Sequence, residues 1–365
     1  MTRLQVALVA GIDPARTRPG GTRSYVLGLA RYLASAGVDV TLVGIGGPPA
    51  EEDPFDFVAA IPDPSASSLA FHRGLTRVLR AQKFQAGIVH TQRPDDLVPF
   101  LPKFAASGLL ITIHGDPLPG IRNRHGRVIS AAYRRLERRG ISAARRVLFV
   151  DSHSRDVFAR RYASQSEKFV DSSVGIDLDS FRVADQAGSR TAWRLGDGPI
   201  VLFAGRLERE KNISLLLRAL PLCETRPTLL LAGAGSESKD LEGQLNRSSH
   251  RVLGVVPYEK MASLYSAVDA TILPSAREAM PLTCVESLAC GTPVVATRTG
   301  RLSELIEPGR NGFLVSADPI DLARAIDRTV TEGRQMERAC RQSAEPFGWD
   351  RVGPTILRQY QEARP

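Results

Sequence analysis

The chain of 365 residues is 43% hydrophobic and 24% charged, which is typical of a globular protein and long enough for two domains. It lacks the run of about 18 apolar residues that a membrane-spanning helix needs, and its short N-terminal apolar run indicates a strand rather than a secretion signal. The cysteines do not have the C-x-x-C spacing of zinc and redox sites, so we expect buried thiols in a reducing cytoplasm at Cys223, Cys284, Cys290 and Cys340.

The net positive charge is confined to the first half of the chain. Residues 1–175 contain 24 lysines and arginines against 15 acidic residues, whereas residues 176–365 contain 24 of each, so the first part carries the whole net charge of +9. Segment 122–146 alone has nine arginines and one glutamate. Such a basic surface attracts anionic lipid, nucleic acid or a phosphorylated substrate. In a helix, four apolar residues of this segment would form a stripe on one side: Val128, Ala131, Ala132 and Leu136. Such a stripe fits either an interfacial helix or ordinary core packing.

Apolar runs alternate with helical patterns along both halves of the chain. In the first half, a run at 4–10 precedes a glycine-rich turn and a helical pattern at 24–37, and further runs fall at 38–44, 86–90, 108–114, 145–150 and 168–174. The second half has runs at 199–205, 227–233, 269–274 and 292–297. Continuous apolar runs are typical of strands buried on both faces of a parallel sheet. The alternation predicts two doubly wound α/β domains, with segment 179–198 as the linker.

Two cations follow the predicted strand at 199–205. Arg206 and Lys211 precede Asn212, which suits the N-cap of the next predicted helix. Cations beside a helix N-terminus suit a diphosphate group, because charge-assisted hydrogen bonds add to the helix dipole. A solvated surface turn would explain the same residues.

Two glutamates, Glu278 and Glu286, flank the start of the helix predicted after the strand at 269–274. Pro281 suits the first turn of this helix and Gly291 suits its end. Free backbone N–H groups at the helix start can face a phosphate, namely those near Met280, Leu282 and Thr283. The carboxylates need hydroxyl groups, so the arrangement suits a sugar nucleotide bound at its sugar, diphosphate and ribose. In the alternative interpretation, Glu286 stabilises the helix dipole and Glu278 is a solvated loop residue.

Seven motifs, spread over nearly the whole chain, together carry a resemblance to a known protein family. The most specific are AGRLEREKN (204–212), LPSAREAMPLTCVESLACGTPVVAT (273–297) and GRLSELIEPGRNGFLV (300–315). Further matches are a Gly-Gly loop and first helix (19–43), ITIHGD (111–116), VGIDLDSF (174–181) and FGWDRVGPTILRQYQE (347–362). Together, in this order, they resemble the retaining glycosyltransferases of family four.

This resemblance implies an α/β fold of the GT-B class, with two doubly wound Rossmann-like domains facing a central cleft. The expected acceptor-binding domain spans 1–180 and is joined by the C-terminal helix 349–363. The expected donor-binding domain spans 181–348.

The resemblance also implies roles for single residues. Arg206 and Lys211 bind the donor diphosphate, and Glu278 holds hydroxyls of the transferred sugar. Glu286 binds the ribose. Gly21 lets the backbone approach the donor phosphate and the acceptor, and His114 contacts the sugar near the anomeric centre. The catalytic set is therefore expected to be His114, Arg206, Lys211 and Glu278.

The resemblance leaves the roles of Glu304 and of the segment 279–281 open. Glu304 is either a further donor-side residue or a surface helix residue. Many family members have Gly-Phe-Gly where this chain has Ala279-Met280-Pro281, and Pro281 removes one amide that could bind phosphate. The preference for the transferred sugar is therefore open.

The chemistry implied is transfer of a hexosyl group from a nucleotide-diphosphate sugar to a hydroxyl acceptor, with retention of configuration and without a metal or other cofactor. A phosphate oxygen of the donor takes the acceptor proton, so no protein base is required. The acceptor is expected to be a surface polysaccharide, a glycolipid or a small metabolite, either lipid-linked or anionic. We expect a cytoplasmic protein that contacts an anionic membrane through 122–146 and binds no nucleic acid.

Other signals are interpreted as structural. Asp177 and Asp179 match the metal-binding Asp-x-Asp pattern, but the pattern is short and opens the linker. GAGSES (233–238) lacks the third glycine of a dinucleotide loop and is interpreted as a strand-to-helix turn near the donor. His90 is interpreted as a buried structural histidine.

Three other functions compete with glycosyl transfer. A sugar-nucleotide epimerase or hydrolase on the same fold is not expected to combine the Arg206 and Lys211 pair with both glutamates. A nucleic-acid-binding protein needs stacking aromatics, whereas Tyr133 is the single aromatic residue in 122–146. An inactive, partner-binding relative would not be expected to keep the four charged residues.

Overall fold

The structure is a computed structural model that describes residues 3–15, 20–81, 86–104, 108–245 and 250–364. The described residues form two compact units. Unit one contains those of 1–18, 22–175 and 349–365, and unit two contains those of 19–21 and 176–348.

Strands and helices alternate along the chain. The strands are β1 (Gln5–Val9), β2 (Asp39–Ile45), β3 (Asp56–Ile61), β4 (Ile88–Thr91), β5 (Gly108–Ile113), β6 (Arg146–Phe149), β7 (Phe169–Asp171), β8 (Ile200–Ala204), β9 (Thr228–Ala232), β10 (Arg251–Gly254), β11 (Ala270–Leu273), β12 (Val294–Thr297) and β13 (Gly312–Val315). The α-helices are α1 (Gly21–Ser35), α2 (Ser68–Arg80), α3 (Pro94–Leu97), α4 (Leu101–Phe104), α5 (Leu118–Ala143), α6 (Ser152–Arg161), α7 (Gln186–Ala192), α8 (Ile213–Ala219), α9 (Ser238–Leu245), α10 (Tyr258–Ala267), α11 (Leu282–Ala289), α12 (Leu302–Leu305), α13 (Pro319–Ala344) and α14 (Trp349–Ala363). Short 3-10 helices occupy Val98–Phe100, Ala163–Lys168, Arg209–Lys211, Leu220–Leu222 and Glu345–Phe347.

Each unit is built on one parallel sheet. Unit one has the strand order β3-β2-β1-β4-β5-β6-β7, and unit two has β10-β9-β8-β11-β12-β13. Among the described residues, all strand pairs of the two sheets are parallel, as the continuous apolar runs predict. In both sheets the strand order reverses direction once, between β1 and β4 in unit one and between β8 and β11 in unit two. Ligands of such sheets bind beyond the carboxyl ends of the strands at this switch point.

The predicted strands are present, but three strands were not predicted from apolar runs. These are β3, β10 and β13, and each lies at an edge of its sheet. Edge strands are covered less completely, and residues of β3 and β10 are mostly half-buried or exposed. The first helix begins at Gly21, three residues before the predicted start at 24. Pro19 of the predicted Gly-Gly loop lies outside the described residues.

The C-terminal helix α14 belongs to unit one and is held there by aromatic packing. Trp349 lies 5.5 Å from Tyr25, measured between ring centroids. A Cβ atom added at Gly28 of α1 would lie 2.4 Å from Trp349 Nε1, so only glycine allows the indole to sit this close. Further along α14, the buried Tyr360 hydroxyl lies 2.7 Å from His90 Nδ1. The first turn and the end of α14 are therefore both fixed to unit one.

Segment 179–198 contains a helix rather than irregular chain. Helix α7 lies within it, and Arg190 of α7 donates two hydrogen bonds of 2.9 Å to the Asp269 carboxylate. Asp269 also accepts from the Ile200 backbone N–H at 2.8 Å. The segment is thus tied to the start of β8 and to the residue before β11, both in unit two.

The arginine-rich segment forms most of α5, but its predicted apolar stripe does not pack inward. Val128 is 83% exposed, and Ala131 and Ala132 are also exposed. Gly126 has a φ of 76° and a ψ of −173°, so the helix is interrupted there. The buried side of the helix carries other residues, namely Ser130, Tyr133, Glu137, Gly140 and Ile141. The core-packing interpretation of the stripe is therefore wrong.

Two further sequence predictions concern burial and membrane crossing. All four cysteines are free and buried, as expected from their spacing. Among the helices of the described residues, none combines the length and apolarity needed to cross a lipid bilayer.

A buried charge cluster joins α2 to the start of α3, a grouping that the spacing of histidines in the sequence does not reveal. His72 Nε2 lies 2.9 Å from Asp96 Oδ1 and 3.4 Å from Asp95 Oδ2. Arg93 donates to Asp95 at 2.8 Å from the other side. Burial lowers the pKa of His72, but the two aspartates outweigh burial and raise it to about 9. The two cations thus balance the two carboxylates.

Replacing His72 by glutamine should remove a pH-dependent part of the stability. The folded-state pKa is raised, so the histidine stabilises the native state fully below pH 6.5 and loses this effect as the pH rises through 9. Thermal melting between these pH values should therefore show a falling Tm for the unmodified protein and a flatter profile for His72→Gln. The exposed His153 on α6 provides the control, because His153→Gln should keep the profile of the unmodified protein. Parallel profiles for all three proteins would contradict this role of His72.

Candidate functional site

The loops after β8 and β11 meet at the switch point of unit two. The Ala276 backbone N–H donates to the Glu210 carbonyl at 3.0 Å and joins the two loops. Lys211 Nζ lies 2.6 Å from Glu278 Oε1, and Ser275 Oγ donates to the same carboxylate oxygen at 2.6 Å. Two of the predicted site residues, 67 positions apart in sequence, are thus in direct contact.

This ion pair is largely shielded from solvent. The Lys211 side chain is 18% exposed and that of Glu278 is 8% exposed. An ammonium group has three N–H donors, and Glu278 uses one of them. The carboxylate therefore holds the cation in place while further donors stay available for an anionic group.

The other two predicted residues of the loop after β8, Arg206 and Asn212, do not contact Glu278 as Lys211 does. Arg206 pairs with Glu210 at 2.6 Å, and both side chains are more than half exposed. Asn212 precedes α8 as predicted, but it adopts the left-handed conformation, with φ 51° and ψ 42°, and its side chain does not cap the helix. Its Oδ1 accepts a hydrogen bond from Ser214 Oγ at 3.2 Å instead. Asn212 is therefore at the N-cap position, as predicted, but its side chain does not cap the helix, because the left-handed backbone differs from the extended one that side-chain caps need.

Helix α11 begins directly after the loop that carries Glu278. Pro281 is its N-cap residue, with φ −73° and ψ 121°, and α11 starts at Leu282. Backbone N–H groups in the first turn of a helix have no partner within that helix, which makes those of Leu282 and Thr283 available to an anion. Met280, one residue before the cap, is buried. Gly291 ends the helix region with a φ of 80°, as predicted from sequence.

Glu286 lies on α11 and is 5% exposed. Its Oε2 accepts a hydrogen bond of 3.0 Å from the hydroxyl of the fully buried Tyr265 on α10. Burial raises the pKa of Glu286 to about 7, while the Tyr265 hydrogen bond acts in the opposite direction. Tyr265 thus fixes one oxygen of a side chain that water solvates poorly.

The residues after β12 support the Glu278 loop. Arg301 donates its backbone N–H to the Ala279 carbonyl at 3.1 Å. Gly300 has a φ of 54°, and a Cβ atom added there would lie 2.0 Å from the Glu278 carbonyl oxygen. The segment therefore needs glycine at this position to approach the loop. Glu304 lies nearby in sequence and pairs with Arg301 at 2.7 Å, and both line a cavity of about 340 Å³ together with Met280.

Two predicted site residues belong to other parts of the chain. Gly21 is exposed and opens α1. His114 follows β5 in unit one, and its Nε2 lies 2.8 Å from Gln92 Oε1. Burial lowers the pKa of His114 to about 4, so the ring is neutral at physiological pH.

The three signals interpreted as structural are accounted for by local contacts. His90 is fully buried, with Nδ1 against Tyr360 and Nε2 2.7 Å from Thr112 Oγ1, which confirms it as a structural histidine. GAGSES connects β9 to α9 as the predicted strand-to-helix turn, and Ser238 Oγ accepts from the Gly235 backbone N–H at 2.8 Å. Asp177 accepts the backbone N–H groups of Asp179 and Ser180 and so shapes a turn.

Sequence reasoning missed four residues that support these groups. They are Ser275, Gly300, Tyr265 and Gln92. The signal for Ser275 and Gln92 was present, since each is a polar residue just after a strand at a sheet switch point. Tyr265 and Gly300 gave no comparable signal, because their roles depend on which helix or loop packs against them.

Comparisons with known proteins agree with the fold of each unit. The sequence model described as "Glycosyltransferase Family 4" matches residues 19–180, and that described as "Glycosyl transferases group 1" matches residues 188–346. Among solved structures, sucrose-phosphate synthase from Thermosynechococcus elongatus is similar with a TM-score of 0.83 and 24% identity, covering 99% of each chain. HepE from Anabaena in complex with UDP-glucose is similar with a TM-score of 0.79 and 18% identity, covering 99% of this chain and 100% of that one. The fold class is therefore GT-B, as predicted.

The two sequence matches lie side by side in the expected order, and the chain belongs to the family-four type of glycosyltransferase. The curated relatives include the D-inositol 3-phosphate glycosyltransferase of Acidothermus cellulolyticus, which is 34% identical over 55% of this chain and 50% of its own length. The enzyme of the same name from Paenarthrobacter aurescens is 30% identical over 62% of this chain and 60% of its own length. The matches thus span about half the length of these relatives. None of these matches favours the epimerase, hydrolase or nucleic-acid-binding alternatives.

Proposed function

We propose that the protein transfers a sugar from a nucleotide-diphosphate sugar to a hydroxyl acceptor. The observation that carries this proposal is the contact between Lys211 and Glu278, next to the N-terminus of α11 at the switch point of unit two. A cation and free helix amides suit the diphosphate, and the two carboxylates suit hydroxyl groups of the sugar and the ribose. HepE from Anabaena, which has been solved in complex with UDP and with UDP-glucose, supports a donor of this class.

In the proposed mechanism, the bond between the sugar and the diphosphate breaks early. Lys211, with two N–H donors not used by Glu278, stabilises the negative charge on the leaving diphosphate, and the amides of Leu282 and Thr283 add to this effect. Arg206 is exposed, and it would leave Glu210 to reach the same group. Glu278 holds sugar hydroxyls, and Glu286 holds the ribose. The acceptor hydroxyl then attacks the anomeric carbon from the face that the diphosphate leaves, so the product keeps the configuration of the donor. A phosphate oxygen of the leaving diphosphate takes the proton of that hydroxyl, so no protein base is required. Lys211 and the helix amides stabilise the leaving charge without a metal.

We assign donor binding to the domain predicted at 181–348 and acceptor binding to that predicted at 1–180. Residues 1–175, which make up most of the acceptor part, carry a surplus equal to the whole net charge of +9, and this supports an acceptor with phosphate groups. The curated relatives are named D-inositol 3-phosphate glycosyltransferase, and this name describes such an acceptor. In this domain, His114 contacts the sugar near its anomeric centre, and Gly21 allows a close approach of the backbone.

The direct test is a transfer assay with UDP-glucose and D-inositol 3-phosphate in the presence of EDTA. We expect release of UDP that depends on the acceptor and a product whose anomeric proton coupling matches that of the donor. Other nucleotide sugars serve as alternative donors, and inositol without phosphate is the control acceptor. An inverted product would contradict retention, and a rate lost in EDTA and restored by a divalent ion would contradict metal-independent transfer.

We also propose that α5 contacts an anionic membrane surface. Seven of its arginines are exposed, and they lie on both sides of two exposed apolar residues, Val128 at 83% and Ile129 at 53%. Each basic residue near an anionic membrane contributes about 1 kcal/mol, and apolar side chains beside them can enter the interface. The protein would then act at the inner face of the membrane, where a lipid-linked acceptor with phosphate groups would also be within its reach.

Changing Val128 and Ile129 together to serine should weaken binding to anionic vesicles by about tenfold or more, because burial of one such side chain contributes about 1.5 kcal/mol or more. Flotation with vesicles of anionic and zwitterionic lipid measures this change. Ile320 of α13, 51% exposed and in unit two, provides the matched control as Ile320→Ser. Equal binding by the double variant and the unmodified protein, or no preference for anionic vesicles, would contradict this contact.

A further inference from the structure

Gln92, which is buried, and His114, which is half-buried, form a pair at the carboxyl ends of two neighbouring strands. Gln92 directly follows β4, and its backbone N–H donates to the Val9 carbonyl of β1 at 3.2 Å. Its side chain is 4% exposed, and its Oε1 lies 2.8 Å from His114 Nε2. The pair therefore sits at the switch point of unit one on a fixed backbone.

The surroundings of His114 favour a neutral ring with one defined tautomer. The ring meets that of Tyr25 edge to face, with centroids 4.8 Å apart and an angle of 78°. The titratable side chains next to the ring are Tyr25 of α1 and His90 of β4, and neither carries a charge at neutral pH, because burial raises the pKa of Tyr25 and lowers that of His90 to about 3. A neutral imidazole has one nitrogen that donates and one that accepts. An amide oxygen only accepts, so Nε2 must carry the proton and Nδ1 must carry the lone pair.

We propose that Gln92 is a positioning residue that fixes His114 in the Nε2–H tautomer, so that Nδ1 accepts a hydrogen bond from a hydroxyl group of the substrate. Among the described residues, Gln92 holds the ring through Oε1 alone, because its buried Nε2 atom has no hydrogen-bond partner. A hydroxyl group can donate to the Nδ1 lone pair, whereas a phosphate oxygen, which only accepts, would be repelled by it. The assignment to a sugar or acceptor hydroxyl rests on the proposed function, but the tautomer does not.

The tautomer can be measured without any substrate. Nitrogen-15 NMR of labelled histidines distinguishes protonated from unprotonated ring nitrogens, and loss of one signal set in His114→Asn assigns the residue. We expect Nε2 of His114 to be protonated and Nδ1 to be unprotonated. His90 provides an internal reference, because its partners Thr112 and Tyr360 are unchanged in all variants. A protonated Nδ1 with a bare Nε2 in the unmodified protein would overturn the proposal.

Two variants of Gln92 complete the test. Gln92→Leu removes the amide oxygen that accepts the hydrogen bond from His114, so His114 should show exchange between both tautomers. The rate of sugar transfer should fall about tenfold, as for one lost hydrogen bond of about 1.4 kcal/mol. Gln92→Glu keeps an acceptor at Nε2, so it should restore the tautomer, and its charge should raise the pKa of His114 in an NMR titration. An unchanged His114 spectrum in Gln92→Leu, with the His90 signals intact, would overturn the proposal. A changed spectrum with no transfer activity in any protein would instead contradict the proposed function.

Discussion

Replacing Lys211 by alanine is expected to lower the rate of sugar transfer by about 10² to 10³, the typical cost of losing one preorganised donor to a developing negative charge. The Lys211 ammonium lies 2.6 Å from Glu278 and is 18% exposed, so its position is set before a donor binds. The variant also leaves the Glu278 carboxylate without its cation, although Ser275 still donates to it. Initial rates of nucleoside-diphosphate release at saturating acceptor measure the effect.

Arg209 provides a matched control for Lys211. It lies in the same 3-10 turn, Arg209–Lys211, and its side chain is exposed. Arg209→Ala removes the same charge from the same loop, so it should leave the rate within about twofold if position rather than charge matters. A Lys211→Ala variant that keeps most of the activity, or an Arg209→Ala variant that loses as much, would show that Lys211 does not act on the diphosphate.

Replacing Arg161 by alanine should destabilise the protein by about 3–5 kcal/mol, because it leaves a buried carboxylate without its cation. Arg161 of α6 bridges Asp116, which follows β5, and Glu137 of α5, with a distance of 2.9 Å to Glu137 Oε1. The Glu137 side chain is completely buried, and among the described residues it would keep the hydrogen bond from Tyr162 at 2.5 Å. Urea unfolding at neutral pH measures the loss.

The pH dependence separates loss of the charge pair from loss of packing. Burial already raises the pKa of Glu137, and loss of Arg161 should raise it further. Protonation of Glu137 at acidic pH removes the buried charge, so the destabilisation should shrink as the pH falls. The exposed neighbour Arg160 provides the control, since Arg160→Ala should change the stability by no more than about 0.5 kcal/mol. A small, pH-independent effect of Arg161→Ala would contradict the role of the ion pair.

Much of the fold could be predicted from the sequence because buried parallel strands leave a direct signal. The run at 199–205 is a central strand whose residues 200–204 are all buried, so it is apolar throughout. The missed strands β3 and β10 lie at sheet edges, where most of their residues are half-buried or exposed. A helix within segment 122–146 was also predicted, but the sequence did not show which face of this helix packs inward. Its inner face holds Tyr133 and Glu137, whose partners lie on other elements.

The candidate site was predictable as a set of residues but not as a set of contacts. Arg206, Lys211, Glu278 and Glu286 could be selected because polar residues after strands converge at one sheet edge. That Lys211 pairs with Glu278 while Arg206 pairs with Glu210 depends on how two loops meet through Ala276. Side-chain pairing of this kind is decided by distances of a few ångströms and leaves no pattern in sequence spacing.

Binding of a nucleoside diphosphate tests the proposed donor site directly. Thermal melting of the protein with UDP, GDP, ADP and TDP, each with and without EDTA, should reveal one diphosphate that stabilises the fold by about 2.7 kcal/mol at 100 times its dissociation constant. We predict that EDTA does not change this stabilisation, that Lys211→Ala loses most of it and that Arg209→Ala keeps it. If none of the four diphosphates stabilises the protein at millimolar concentration, the assignment of the donor site to Lys211, Glu278 and the start of α11 is wrong.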